Sequence, residues 1–386
     1  MLDFFLNVQE AAAGGGGGGT FNGDGDPPET PTHLIHFPTS DVAGDRIEIW
    51  DVTTPSTPTK TASWNCGENY AYTNTGFADD RNACVKEGTA YFGASSDGIY
   101  SLDVSDPTTL GASQVLGQII QSSFGISYIR FMAVHPTKSV LWCGASNGTV
   151  YTVDISNPAS MSIIAQASSG FTAPNAYTMS KDGEAFFVID KGTAVRYTLN
   201  ASNQPSNATS LVLSPPWTAA TVEALCWTEN ASGEGFLARA AITDDISIAE
   251  MDSSYGFTSA YTYTNNAYFD RGQAICGMPY VTNYSSDDLG VVIWNKDDYS
   301  ISIGTVDTST DTITARVESA ADITWISQNA TNLEAFDQYV FIMNNTKLAV
   351  YEWAALNTLN RIATIGYGTG PNDIGTSTNQ MCLFKP

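Results

Sequence analysis

Apolar and polar positions along this chain are patterned on two length scales. Over six or seven residues they alternate, as in Gly98-Ile99-Tyr100-Ser101-Leu102-Asp103-Val104. Such alternation predicts a strand with one face buried. Over about fifty residues the pattern returns whole. Ile49-Trp50-Asp51-Val52-Thr53-Thr54-Pro55 reappears as Ser101-Leu102-Asp103-Val104-Ser105-Asp106-Pro107, and again as Thr152-Val153-Asp154-Ile155-Ser156-Asn157-Pro158. Each copy ends a strand in turn chemistry. The Asp side chain accepts from nearby backbone N–H groups, and the proline presets φ.

Between successive signatures lie three further short β-rich runs. In the second copy they are Asn82–Lys86, Thr89–Ala94 and Gln114–Ile119, with Ser96-Asp97-Gly98 as a hairpin signal. Four short antiparallel strands per fifty-residue period make one blade of a β-propeller. The signature position recurs at Asn200, Asp252, Asp307 and Ala354, with intervals of 52, 51, 46, 52, 55 and 47 residues. That is seven copies, or six or eight if a degenerate copy is read otherwise. The first copy is one strand short, having only His33–Phe37 before its signature strand. A surplus strand, Asn379–Phe384, stands at the far end. The expected fold is therefore all-β, a seven-bladed propeller. One C-terminal strand plus three N-terminal strands close blade one and remove the exposed edges that would template aggregation. The propeller spans residues 33–386, and residues 1–32 form an extended N-terminal anchor and glycine-rich linker.

The repeat is clearest in the runs Thr89–Gly117 and Val140–Ser168. These open with Thr89-Ala90-Tyr91-Phe92-Gly93-Ala94 and Val140-Leu141-Trp142-Cys143-Gly144-Ala145. They resemble the LVIVD-type repeat of bacterial, archaeal and viral β-propellers, a relative of the YVTN and WD-type repeats. The resemblance is clear in blades one to three and fades through blades four to seven. Its motif is structural, so it implies the fold and no particular chemistry.

Composition narrows the partners. Sixteen basic against forty acidic residues give a formal charge of −24. That field repels phosphate backbones and anionic lipid surfaces, so neither nucleic acid nor membrane insertion is expected. A chain of 386 residues, 42% of them hydrophobic, can bury an ample core. Of six cysteines, Cys84, Cys226, Cys276 and Cys382 fall in expected innermost strands, Cys143 in a second strand and Cys66 near a loop. No CxxC occurs, so these read as buried thiols rather than metal ligands. No metal and no cofactor is expected.

The first residues differ from the rest. Met1-Leu2-Asp3-Phe4-Phe5-Leu6-Asn7-Val8 is a short apolar peptide, separated from the propeller by Gly14 to Gly19 and an Asp- and Pro-containing stretch. It lacks a basic n-region and is too short to span a bilayer, so it is not read as a signal peptide. The glycine run reads as a flexible tether, and Leu2, Phe4, Phe5, Leu6 and Val8 as partner-docking residues. This arrangement resembles that of structural proteins of marine tailed phages. The resemblance implies a virion protein, made in the host cytoplasm, held by its N-terminus on other virion proteins.

Candidate chemistry is sparse. His33 and His36, three apart in a strand, point to opposite faces and cannot share a metal. His135 reads as part of a turn, and no catalytic residue is assigned. Carboxylate pairs occur at Asp79-Asp80, Asp244-Asp245, Asp287-Asp288 and Asp297-Asp298, of which Asp244-Asp245 and Asp297-Asp298 fit the hairpin between a blade's second and third strands. Gly23-Asp24-Gly25-Asp26 is the calcium candidate, though it lacks the remaining loop positions of an EF-hand. Asp80-Arg81 and Asp270-Arg271 precede two innermost strands, and Arg130 opens a third. These five are the channel-mouth candidates: either ion pairs that pin neighbouring blades, or a cationic rim for an anionic group. Tyrosines crowd blades five and six and could contact a host surface glycan or protein. The expected function is a non-enzymatic virion structural or adhesion protein. The alternatives are a cellular or secreted propeller scaffold and, further off, a lactonase-like propeller hydrolase.

Overall fold

The computed structural model describes residues 31–386 apart from 39–45, 67–81, 95–97, 125–127, 173, 175, 191, 213–221, 231, 242–244, 265–271, 279–287, 296–299, 311, 319–331, 337, 344–346, 356–357 and 367–377. Within these residues the strands form seven four-stranded antiparallel sheets. Six are consecutive in sequence. The seventh, blade one, takes Thr378–Phe384 from the C-terminus and adds His33–Pro38, Arg46–Asp51 and Thr59–Asn65. Leu34 pairs with Leu383 and Ile35 with Cys382, so the two ends of the chain are hydrogen-bonded to each other. The expected closure is the one observed.

The innermost strands of blades one to seven are Thr378–Phe384, Ala83–Lys86, Ile129–Val134, Ala176–Met179, Val222–Glu229, Gly272–Met278 and Asn332–Phe336. Each touches the innermost strand of the blade on either side, the last touching the first. The ring is a seven-bladed β-propeller.

Its core lies in the seams between blades. Seven apolar clusters are found among the described residues, one in each seam. Alternation explains this, because neighbouring residues of one strand serve opposite seams. Ile35, Phe37, Ile47 and Ile49 pack toward blade two, while Leu34 and Trp50 pack toward blade seven. Aromatic stacks cross the seams: Phe37 on Phe92 at 4.7 Å, Trp142 on Phe186 at 5.0 Å and Phe187 on Trp227 at 5.7 Å between ring centroids. A fully buried side chain of this size contributes roughly 1.5–3 kcal/mol.

The signature residue closes the third strand of every blade. Its side chain makes the expected turn bond in six blades: Asp51, Asp103, Asp154, Asn200, Asp252 and Asp307 each accept from the backbone N–H two residues on, at 2.7–3.0 Å. Hydrogen bonds from Thr53 hold the Asp51 carboxyl below its usual range, and those from Ser309 and Thr310 do the same for Asp307. In blade seven the position is Ala354, which has no such acceptor. Trp353 N–H donates to the Gln338 carbonyl at 2.8 Å, the same backbone bond that Val52, Val104 and Ile155 make to Thr32, Gly88 and Ser139. The proline of the signature has a second use that the sequence did not suggest. Its carbonyl accepts from the preceding blade, Thr61 reaching Pro107 and Ser101 reaching Pro158, both at 2.7 Å.

Gly144 shows how closely the seams approach. A Cβ placed there would stand 2.5 Å from ring carbons of Tyr177 in the next blade. Gly144→Ala is expected to lower the stability of the chain by about 1–3 kcal/mol. Thermal or denaturant unfolding checks this, and an unchanged midpoint would mean that the seam between blades three and four repacks freely.

Candidate functional site

Polar side chains concentrate at the two ends of the innermost strands, where seams can be tied by hydrogen bonds. At the leading end lies the mouth nominated from sequence. Asn82 is 3% exposed, and its Nδ2 donates to the Ile129 carbonyl of blade three at 3.0 Å. Arg130 is 2% exposed, and its Nη1 donates to the Pro174 carbonyl at the start of blade four, at 2.6 Å. So two successive blades are tied in the same sense, each side chain reaching the backbone that opens the next blade. Asp80, Arg81, Asp270 and Arg271 lie outside the described residues, as do Leu2, Phe4, Phe5, Leu6 and Val8.

The trailing end, formed by the turns between first and second strands, carries a longer run of ties. Lys86 of blade two is 7% exposed and donates to the carbonyls of His135 and Lys138 in blade three, at 3.1 and 2.8 Å. His135 is buried. Its Nδ1 accepts the backbone N–H groups of Thr137 and Lys138 at 3.2 Å each, and its Nε2 meets Glu184 of blade four at 3.2 Å. Lys138 Nζ also reaches Glu184 Oε1, at 2.5 Å, and Lys181 reaches Glu229 of blade five at 3.3 Å. The Tyr255 hydroxyl of blade five donates back to Asp182. Burial pushes the His135 imidazole down to about 4, the nearby Lys138 charge adds to this, and Glu184 opposes it. His135 therefore accepts backbone hydrogen bonds as a neutral ring.

Of these trailing-end groups only His135 was singled out from sequence, as part of the turn where it is found. The ties themselves were not foreseen, although the sequence held the clue. Lys86, His135 and Glu184 are spaced by 49 residues, one blade apart. In a propeller, polar residues one period apart meet across a seam.

A third polar group lies inside blade one, in its seam with blade seven. His36 and Glu48 are cross-strand partners, both fully buried, with His36 Nδ1 at 3.4 Å from Glu48 Oε2. Lys60 Nζ holds the other oxygen at 2.8 Å and lies over the Trp50 ring, and Arg46 approaches to 3.7 Å. His33 is on the opposite face, as expected, with its pKa lowered by burial. Of the cysteines, Cys66, Cys84, Cys143, Cys226 and Cys382 are free and buried, and burial raises the Cys84 and Cys143 thiols. Among the described residues no group of three His, Cys, Asp or Glu side chains is arranged to hold a metal ion, and no helix is long and apolar enough to cross a membrane.

The seven blades and their seam ties define the class of the protein as a β-propeller. Comparison with solved structures agrees. A protein from Lactobacillus plantarum matches with a TM-score of 0.62 at 13% identity, over 92% of this chain and all of that one. A Bacteroides fragilis protein described as a candidate 6-phosphogluconolactonase matches with a TM-score of 0.62 at 10% identity, over 92% of this chain and 99% of that one. Chaetomium thermophilum Sqt1, bound to the N-terminus of a ribosomal protein, matches with a TM-score of 0.54 at 12% identity, over 87% and 85%. At such identities the likeness is one of fold. No family model and no curated protein matches the chain.

Two outcomes are expected from the ties. Arg130→Ala should destabilise the propeller by about 1.5–3 kcal/mol, the range for a hydrogen bond to a charged group, read by denaturant unfolding. His135 has a folded pKa below its unfolded value, so its contribution is present above pH 6.5 and lost as pH falls toward about 4. The thermal midpoint should drop over that window. The drop should be smaller in His135→Gln, with His33 supplying part of the remainder.

Proposed function

We propose that the chain is a non-enzymatic structural or adhesion protein of a tailed-phage particle. Residues 1–32 dock it on other virion proteins, and the propeller is displayed for assembly or host-surface binding. The observation that carries this reading is how the two parts of the chain divide. Polar groups at both ends of the innermost strands are engaged in ties between blades, Asn82 and Arg130 at one end and Lys86, His135 and Glu184 at the other. These are the bonds of a rigid display platform. The apolar peptide Leu2–Val8, on a glycine-bearing stretch, has the composition of a segment that needs a partner to cover it.

A cellular or secreted interaction scaffold is the second reading. It draws on propellers of this fold that occur with protein partners, such as Sqt1 with a ribosomal protein segment and a chain of a mitotic checkpoint complex. The two readings separate on one experiment. Chain beginning at Thr20 should keep the melting transition of the full chain and fail to enter particles when expressed with the other virion proteins. Incorporation at the full-length level would overturn the docking role of the N-terminus. Elemental analysis of the purified full chain addresses the hydrolase alternative, and stoichiometric tightly held metal would revive it.

A further inference from the structure

The outer strand of blade two, Val115–Ile119, differs from the rest of the described surface. Leu116 and Ile120 are the exposed large hydrophobic residues among the described residues, at 37% and 55%. Leu116 occupies a bulge, where the pairing shifts between Ser101 and Leu102, and its side chain turns outward. Gln118 is exposed beside it, while Gly117 and Ile119 face blade three, where Gly117 abuts the backbone of Pro158 and Ala159. Among the described residues the strand is paired with Gly98–Asp103 and with no second strand. It thus offers an open edge flanked by two aliphatic side chains, a form of surface that extended segments extend by adding a strand.

The chain carries a segment of matching pattern. Leu2, Phe4, Leu6 and Val8 alternate with Asp3, Phe5 and Asn7, a period of two with four apolar residues on one face. The chain is fixed from Thr32, whose N–H donates to the Phe384 carbonyl of blade one. Residues 9 to 32 link the two, and a glycine-rich linker of that length has a root-mean-square span of about 25–30 Å. Blade two adjoins blade one, and its outer edge is on the order of 20 Å away at ordinary strand and sheet spacings. A second copy would have to approach against a charge of −24 on each chain, whereas the chain's own segment is always within reach.

We propose that in the free protein Leu2–Val8 adds as a strand to the Val115–Ile120 edge of its own propeller. Leu116 and Ile120 then cover its apolar face until a docking partner takes it. This rests on the reading of the N-terminus as a docking segment and adds what shelters it beforehand. The parked strand keeps an apolar peptide out of solvent, and the partner must outcompete an intramolecular contact.

Hydrogen exchange of the free chain tests this without particles. Backbone amides of Val115–Ile120 should exchange about tenfold more slowly in the full chain than in chain beginning at Thr20, both sedimenting as monomers. Ile120→Lys in the full chain, a change at an exposed position, should restore the faster rate. Equal rates in the full and shortened chains would overturn the proposal. Slow exchange accompanied by dimer sedimentation would overturn it too, by assigning the edge to a second copy. Particle incorporation is read separately, so loss of incorporation with equal exchange rates would leave the docking role standing and remove only the parking.

Discussion

The structure depends on burial between sheets. A blade cannot bury either of its faces alone, because both are apolar: Leu34 and Trp50 look one way while Ile35 and Ile49 look the other. Each sheet is stable only with a neighbour on both sides, and a row of such sheets satisfies this only when it closes. Pairing of Thr378–Phe384 with His33–Pro38 is therefore the contact on which all seven seams depend. It joins the chain's two ends through backbone hydrogen bonds, and the inner strands of blades seven and two pack against it on either side.

Polar groups follow the same constraint. Burying a donor or acceptor without a partner costs about 1–3 kcal/mol, and several polar residues at the ends of the inner strands meet this by reaching the next blade's backbone. Asn82 and Arg130 do so at one end, and Lys86 at the other. The repeat makes this systematic, since residues about 49 apart stand on facing blades. Arginine at the channel mouth was expected either as a pin or as a rim. Arg130 is buried and its Nη1 donates to the Pro174 carbonyl, a tie to the backbone that opens the next blade.

The fold was legible in the sequence because its determinants are local. An Asp that accepts from the second N–H onward can be recognised from five residues, and the missing strand of blade one from a count. The inner positions of Cys84, Cys226 and Cys382 followed from the same count. What was not legible depends on pairing between blades. The His36–Glu48–Lys60 group joins residues from three strands of one sheet, and nothing in their local sequence marks them as buried. Lys86 was read only as the end of a strand, and its ties were hidden because its acceptors are carbonyls 49 and 52 residues away. The proline carbonyl as a seam acceptor was hidden for the same reason. Its local role, fixing φ, already accounted for its presence.

A platform built this way separates two tasks. The ring fixes the geometry of loops and turns through seam contacts, and attachment can be assigned to a segment that takes no part in those seams. All of this rests on the closing strand. Hydrogen exchange at Ala83–Lys86 and Asn332–Phe336, the inner strands flanking blade one, measured in chain ending before Thr378, tests it most directly. If closure supports every seam, protection is lost in both flanking blades together with blade one. Protection retained outside blade one, with an unchanged melting transition, would contradict that dependence.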